Sequence, residues 1–432
     1  MTRYVGLDVH KHFIEVCILD RSGKAVFRGR AECRREELEC FAKEKLKRSD
    51  RVALEATTNT WPVVDILRPF VAEIVVGNPL KTKAIAEAKV KTDKVDAEVL
   101  AQLLRCDYLP SVWQPDEPTQ RLRGWITHRA ALMTQRSRLK NHIQSQLGRL
   151  LIYPPCKVLW TKTGLAWLKT VELPPDERLM LESELRQLAA IDRERALLDE
   201  RLASLAEHEP RAKLLMTIPG VSFIVGLGII AALGDVRRFE DGAHAAAYLG
   251  LVPSTRQSAN HCYHGHITKV GNRQARGLLT QAAQHASRHP GPLGAFFRRL
   301  TKRKNRSVAI TAVARKLVTI AYLMLKNNEP YRYARPDLMR EKFAKLKIIK
   351  PPAGAKRTAK KPPADLVTVY RAAGLPPVKQ PAQLPVGERR MLTERQLEPY
   401  VDGLYRPEAP TKKSPATSSK VQPSGRPKGR PG

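Results

Sequence analysis

The sequence predicts a mixed α/β domain at the N-terminus, then mostly helical segments, then a basic tail. Three observations carry this. Short apolar and β-branched runs alternate with turn signals and helix-like stretches over residues 1–110. Apolar residues recur every seven positions through much of 111–210. A globular, mostly helical pattern fills 211–335, and proline and basic residues crowd 336–432. A chain of 432 residues accommodates two to four domains of ordinary size.

In the first segment Tyr4 to Val9 and Phe13 to Leu19 are apolar runs, and Arg21-Ser22-Gly23-Lys24 is a turn before a third strand, Ala25 to Arg30. Arg51 to Ala56 is a fourth strand, Trp61 to Pro69 a short helical stretch, and Val71 to Val76 a fifth strand closed by Gly77-Asn78-Pro79. Lys81 to Leu104 is helix-like. A three-strand meander followed by alternating strand and helix is the order of an RNase H-like layer fold, although other mixed sheets begin the same way.

In the second segment Leu181, Leu188, Arg195 and Leu202 are seven apart, as are Ile191, Leu198 and Leu205. This is an a/d seam containing one charge. Arg121 to Leu151 is a basic helix, and Tyr153-Pro154-Pro155 breaks the chain between the two helical stretches. A coiled-coil-like hairpin arm and an ordinary helical bundle both fit. Residues 336–432 hold 16 of the 32 prolines, with 21 basic against 8 acidic residues. They read as a largely disordered basic linker in which Leu392 to Leu397 forms a short helix.

The charge narrows the function classes. Lys and Arg number 76 against 42 Asp and Glu, a formal net charge of +34, with 42% apolar residues. That apolar content supports a real core and excludes wholesale disorder. The positive excess calls for a polyanion, of which nucleic acid is the leading candidate. The most apolar run, Ile218 to Leu233, is about sixteen residues and contains glycines, shorter than a spanning helix requires. No secretory h-region follows the first Met, and the six cysteines show no CxxC spacing, so a cytoplasmic protein with reduced thiols and no membrane partner is expected.

Asp8 and Glu55 each interrupt an otherwise apolar strand, where an unpaired carboxylate is costly. Asp93 and Asp96 are spaced i, i+3 and share a helix face. Two carboxylates about 4 Å apart repel by roughly 4 kcal/mol at an effective dielectric near 20. Four converging ones therefore need compensation, which two Mg²⁺ ions, or Mn²⁺, would supply together with a clamp on a phosphodiester. The three stretches Gly6-Leu7-Asp8-Val9-His10-Lys11, Leu54-Glu55-Ala56-Thr57 and Lys91-Thr92-Asp93-Lys94-Val95-Asp96-Ala97 resemble the N-terminal domain of the DEDD transposases of the bacterial insertion-sequence "one-ten" family and the related pilin-gene inverting recombinases. The resemblance implies a RuvC-like domain with Asp8, Glu55, Asp93 and Asp96 as its metal-binding tetrad. Thr58 stands where the family usually has glycine.

The third segment is similar to the C-terminal transposase domain of that family, through Ile218-Pro219-Gly220-Val221, Tyr248 to Pro253 and Thr268-Lys269-Val270-Gly271-Asn272. The resemblance implies a serine nucleophile at Ser258, with Ala259 in place of the family's following glycine and Ser254 as the competing position. A serine hydroxyl needs activation, and His261, His264 and His266 are close in sequence. With Cys262 they match no ordinary zinc spacing. The Pro-Gly turn is either a phosphate-binding turn or a plain helix connection. Lys91, Arg129, Arg136, Arg138, Lys140, Lys269, Arg273 and Arg276 are the candidate nucleic-acid contacts.

Together these readings point to a DNA transposase or site-specific recombinase. The resemblance further implies a non-coding guide RNA bridging donor and target DNA, and a dimer or tetramer built through the helical segment. A DNA invertase of the same family is the nearest alternative. A metal-dependent junction nuclease and an inactive nucleic-acid-binding protein are the others. An actin-like ATPase shares the strand–Asp–hairpin start, but His10, Lys11 and His12 replace the glycines its phosphate loop requires.

Overall fold

A computed structural model describes residues 2–85, 92–258, 261–349 and 365–406. The chain divides into two compact units, residues 1–116 and 117–432.

The first unit is built on a five-stranded sheet with order β3-β2-β1-β4-β5. The strands are β1 (Tyr4–Val9), β2 (Phe13–Leu19), β3 (Ala25–Glu32), β4 (Arg51–Glu55) and β5 (Glu73–Gly77). β1, β2 and β3 form an antiparallel meander, while β4 pairs parallel to β1 and β5 parallel to β4. Helix α1 (Arg35–Lys45) precedes β4, α2 (Thr60–Leu67) precedes β5, and α3 (Pro79–Ile85) and α4 (Asp93–Arg105) follow. Between α3 and α4, residues 86–91 lie outside the described residues, so the helix expected over Lys81 to Leu104 is seen as two pieces.

Alternation along the strands sorts the residues into two layers. Val5, Leu7, Val9, Ile14, Val16, Ile18, Val52, Leu54 and Val76 pack with Leu38, Ala42, Val63, Val64 and Leu67 on the face covered by α1 and α2. Cys17, Leu19 and Ala53 point to the other face and meet Ala97, Leu100, Ala101 and Leu104 of α4. Gly6 is buried on the same side, and a Cβ there would lie 1.9 Å from the Ala97 carbonyl oxygen. The missing side chain is what lets α4 lie directly on β1.

In the second unit α5 (Glu117–Arg149) and α7 (Pro175–His208) form an antiparallel hairpin, with α6 (Lys162–Thr170) between them. The direction follows from paired positions that run oppositely: Arg129 with Asp199, Arg136 with Asp192, and His142 with Glu184. The expected seam lies inside the hairpin. Leu181, Leu188, Leu198 and Leu202 are buried, and Arg195 turns to Asp192 at 3.3 Å. At one end Ile143, Leu147, Leu159, Leu168 and Leu181 make a small core with α6. At the other end Ile126, Leu132, Leu198 and Leu202 merge into the main core. The hairpin is therefore continuous with the helical domain at its base.

That domain contains α8 (Pro210–Met216), α9 (Phe223–Leu233), α10 (Gly242–Tyr248), a hairpin of β6 (Pro253–Ser258) and β7 (His261–Ile267), α11 (Arg273–Ala286), α12 (Pro292–Thr301) and α13 (Arg306–Asn327). The apolar run centred on α9 is a buried core helix. Among the described residues α13 is the one helix long and apolar enough to cross a membrane, and half of its apolar window is buried within the protein.

The tail differs from expectation. Helices α14 (Pro336–Lys345), α15 (Leu366–Ala372), α16 (Val386–Glu394) and α17 (Glu398–Tyr405) form inside the stretch read as a disordered linker. Their Phe343, Leu366, Tyr370, Leu392, Val401 and Leu404 join the main core. Pro336 and Pro399 stand in the first turns of α14 and α17, where a missing N–H costs nothing. Those prolines are helix starts, and the short apolar spacings between them are core contacts.

Candidate active site

Asp8 lies near the C-terminal end of β1, on the face that meets α4. Because Leu7 pairs beside Leu54, Asp8 and Glu55 occupy the next positions on adjacent parallel strands. Ala53 packs against α4, so Glu55, two residues on, shares its face. Asp93 and Asp96 stand in the first turn of α4, capped by Thr92, whose hydroxyl accepts from the Val95 N–H at 3.4 Å. The positive end of that helix favours carboxylates there. The sheet and α4 thus bring Asp8 and Asp93 together, with Asp96 in the same turn as Asp93 and Glu55 at the adjoining strand end.

The electrostatics reflect the crowding. Burial raises the Asp8 carboxyl above the ordinary carboxylate range, the His10 ring opposes this, and the Asp96 and Asp93 charges raise it further. His10 Nε2 lies 3.0 Å from Asp8 Oδ2 and 3.3 Å from Asp93 Oδ2. One oxygen of each aspartate and this nitrogen lie within 4.8 Å of one another. Carboxylate oxygens beside an imidazole nitrogen are a donor set that fits a divalent cation.

The structure adds two residues, Glu15 and His10, to the site that the sequence predicts. Glu15 pairs directly with Asp8 across β1 and β2 and is 3% exposed. Arg30 neutralises it through a 2.7 Å hydrogen bond from Nε, and the same guanidinium lies 4.0 Å from the Phe13 ring centroid. Its signal was available, since Glu15 is a lone charge in an apolar strand just as Asp8 is. His10 is two residues past Asp8, where the chain leaves β1. Its backbone N–H donates to Phe13 O at 2.9 Å, and its ring packs on Phe13 at 4.7 Å.

Ser258 sits in the second unit at the end of β6, and every residue of that strand is exposed. Its cross-strand partner is His261; residues 259 and 260 lie outside the described residues. Arg256 pairs with Tyr263, and Thr255 with His264, where Thr255 Oγ1 and His264 Nδ1 are 3.0 Å apart. Ser254 lies nearer the base, and a Cβ on Gly265 would sit 2.6 Å from its Oγ. The base is locked by two interlocking glycines. Gly250 has φ +67° and would press a Cβ onto the Val270 backbone, and Gly271 has φ +73° and would press one onto the Tyr248 carbonyl. Lys269 N–H donates to Gly250 O, and Thr268 N–H to Val252 O. The segments around Gly250 and Gly271 therefore hold the exposed hairpin on the helical core.

The Ile-Pro-Gly-Val turn is buried. A Cβ on Gly220 would meet the Ala282 carbonyl of α11 at 2.3 Å. Lys342 Nζ donates to the turn's Met216 and Val221 carbonyls, the latter at 2.8 Å. The turn is a packed helix connection.

The basic candidates separate by environment. Arg129 and Arg136 direct their guanidinium groups at Asp199 (2.5 Å) and Asp192 (2.7 Å) within the α5–α7 hairpin. Lys140 Nζ lies 4.6 Å over the Trp160 ring. Arg276 donates to the carbonyls of Leu249, Val270 and Gly271. Arg138, Lys269 and Arg273 are exposed, and Lys91 lies outside the described residues.

Residues 5–152 match the DEDD-type IS110 transposase family model, and residues 212–298 match a second, described as transposase IS116/IS110/IS902 family. The chain is 25% identical over 346 residues to the transposase for insertion sequence element IS1111A of Coxiella burnetii, covering 76% of this chain and 91% of that one. It is 28% identical over 265 residues to the pilin gene-inverting protein of Moraxella bovis, covering 59% of this chain and 73% of that one. With two matched domains in order, the chain is an enzyme of the DNA transposase and recombinase class. It belongs to the IS110 family of insertion-sequence transposases.

Proposed function

We propose that this transposase cuts and rejoins DNA through a phosphoserine link at Ser258, with Asp8, Glu55, Asp93 and Asp96 holding Mg²⁺ in an RNase H-like, RuvC-like domain. The observation that carries the reading is the approach of the Asp8 and Asp93 carboxylates at one end of the sheet, with Asp96 in the same helix turn and Glu55 at the end of the neighbouring strand. The strand order β3-β2-β1-β4-β5, with only the meander antiparallel, supports the fold assignment.

Divalent cations in such a site neutralise the carboxylates and polarise a phosphodiester. The protein's own part is positional. Exposure of the whole of β6 lets a duplex reach the Ser258 hydroxyl. The Ser258 oxygen bonds to phosphorus, the DNA oxygen leaves and takes up a proton, and a group on the protein takes the serine proton. His261, His264 and His266 lie on the facing strand. A DNA hydroxyl then reverses the step on a new strand and releases Ser258. The phosphoester energy is retained throughout, so no nucleotide is consumed. The family resemblance extends the proposal to a guide RNA and a homo-oligomer, and a net charge of +34 suits a complex with two nucleic acids.

The similarity to a pilin gene-inverting protein favours a second reading, inversion of a DNA segment. Element ends flanking the gene support transposition; an invertible segment supports inversion. The mechanism is tested by denaturing gels of full-length protein with labelled DNA. Ser258→Ala is expected to lose both the covalent adduct and joined products while still shifting DNA on native gels. An adduct that persists in that variant overturns the serine assignment, and nicks without joining in the wild type point to a nuclease.

A further inference from the structure

We infer that His10 is a nitrogen ligand of the cation held by Asp8 and Asp93, so that the site takes a transition-metal ion such as Mn²⁺ more tightly than Mg²⁺. The inference rests on the metal reading above and concerns a residue outside the four carboxylates. Three observations support it. First, a single ring atom, Nε2, faces one oxygen of each aspartate, at 3.0 and 3.3 Å. At these separations, which are also hydrogen-bond distances between Nε2 and each oxygen, the three atoms are close enough to serve as donors to a single cation.

Second, the ring is held in place. The backbone N–H of His10 donates to Phe13 O at 2.9 Å, Asn59 Nδ2 donates to the His10 backbone carbonyl at 3.5 Å, and the imidazole itself packs 4.7 Å from the Phe13 ring. The tight turn between β1 and β2 thus carries the imidazole back over the strand end it has just left. Third, the remaining charges leave room for a neutral donor. Glu15, beside Asp8, is already paired with Arg30, so an ion in the site faces the nearby carboxylates and needs no further negative ligand.

The consequence is selectivity. Mg²⁺ strongly prefers oxygen and gives up water reluctantly, whereas affinity for nitrogen donors rises along the first-row transition metals. An imidazole in the first coordination sphere therefore raises Mn²⁺ affinity more than Mg²⁺ affinity.

The test uses the full-length protein and metal binding, with no DNA present. Pulsed EPR of the Mn²⁺-loaded protein is expected to show ¹⁴N coupling from a directly bound imidazole, and this coupling is expected to vanish in His10→Ala. Titration calorimetry with Mn²⁺ and with Mg²⁺ is expected to show the Mn²⁺/Mg²⁺ affinity ratio falling about tenfold in that variant. Thermal melts of the metal-free proteins identify a variant that fails to fold; His10→Gln, which keeps a polar side chain against Phe13, then carries the comparison. Absence of ¹⁴N coupling in the Mn²⁺-bound wild type, or an unchanged ratio in the variant, overturns the role of His10 alone. A wild type that binds neither ion, with Asp8→Asn indistinguishable from it, overturns the metal reading of the whole site.

Discussion

Gly6→Ala tests whether close contact between α4 and β1 is what assembles the acidic site. The added Cβ would lie 1.9 Å from the Ala97 carbonyl oxygen and 2.7 Å from the Ala101 nitrogen, both backbone atoms, whereas real Cβ contacts stop near 3.0 Å. The helix or the strand must therefore shift by about 1 Å, since no flexible side chain is available to yield. Overpacking of this kind costs about 1–3 kcal/mol. Replacing glycine returns about 0.4–1 kcal/mol through the unfolded chain, so the clash dominates. The net cost is about 0.6–2 kcal/mol, and at about 4 °C per kcal/mol for a unit of this size Tm is expected to fall by about 2–8 °C. Because Asp93 and Asp96 ride on the first turn of α4, the same shift displaces them relative to Asp8. A displacement of about 1 Å in a catalytic constellation costs about a hundredfold in rate. Calorimetric melts and a DNA-joining assay on the full-length variant measure the two effects. The control is Gly124→Ala in α5, where a Cβ meets nothing within 4 Å and stability should rise by up to about 1 kcal/mol. Unchanged Tm and full joining activity in Gly6→Ala would refute the argument that this glycine sets the site.

Two further outcomes concern the second unit. A double-mutant cycle of Arg136→Ala and Asp192→Ala should return a coupling of about 0.5–1 kcal/mol, read from denaturant midpoints. The Arg136 hydrogen bond holds the Asp192 carboxyl below the ordinary range, so the coupling should be present at neutral pH and lost as acid titrates the folded carboxylate; equal coupling at pH 7 and pH 2 would contradict the ion pair. Burial lowers His289 to about 4 from 6.5. Between those values the unfolded chain binds the proton and the folded one does not, so stability should fall as pH drops from about 6.5 to about 4, with a shallower fall in His289→Gln melts. A wild-type slope identical to that of the variant would remove His289 as the cause.

The parts of the fold legible in the sequence are those set by short-range pattern. The five strands and the heptad-spaced seam are local periodicities, and a carboxylate interrupting an apolar strand marked Asp8 and Glu55 without reference to the rest of the chain. Partners distant in sequence were not legible. Arg129 and Arg136 read as basic positions on an open helix because Asp199 and Asp192 are 70 and 56 residues away, and only the antiparallel hairpin brings them together. His10 escaped notice for a different reason. Its contact with Asp93 exists only because Gly6 admits α4 to the sheet, so its place in the site depends on a packing distance. In the tail, proline density outweighed the apolar positions, although proline in a first turn and apolar residues three or four apart are themselves helix signals.

The ion-pair pattern also changes what a net charge of +34 means for function. Positive charge locates a nucleic-acid surface only after the cations engaged inside the protein are set apart. Arg30 serves Glu15, Arg129 and Arg136 serve the hairpin, and Arg276 ties together the carbonyls beneath the β6–β7 hairpin. Removing any of these would loosen an element before it weakened a phosphate contact. The turn from α12 into α13 has the opposite character. Arg298, Arg299, Lys302, Arg303, Lys304 and Arg306 fall within nine residues that contain no acid, and all six are exposed. Five of them precede α13 and Arg306 opens it, so the positive end of that helix's dipole adds to the same field. Surface charge of this kind confers salt-dependent affinity and faster encounter with a polyanion. The internal cations instead fix the geometry that the acidic site and the Ser258 hairpin depend on, so substitutions in the two groups should fail in different assays, DNA affinity for one and folding for the other.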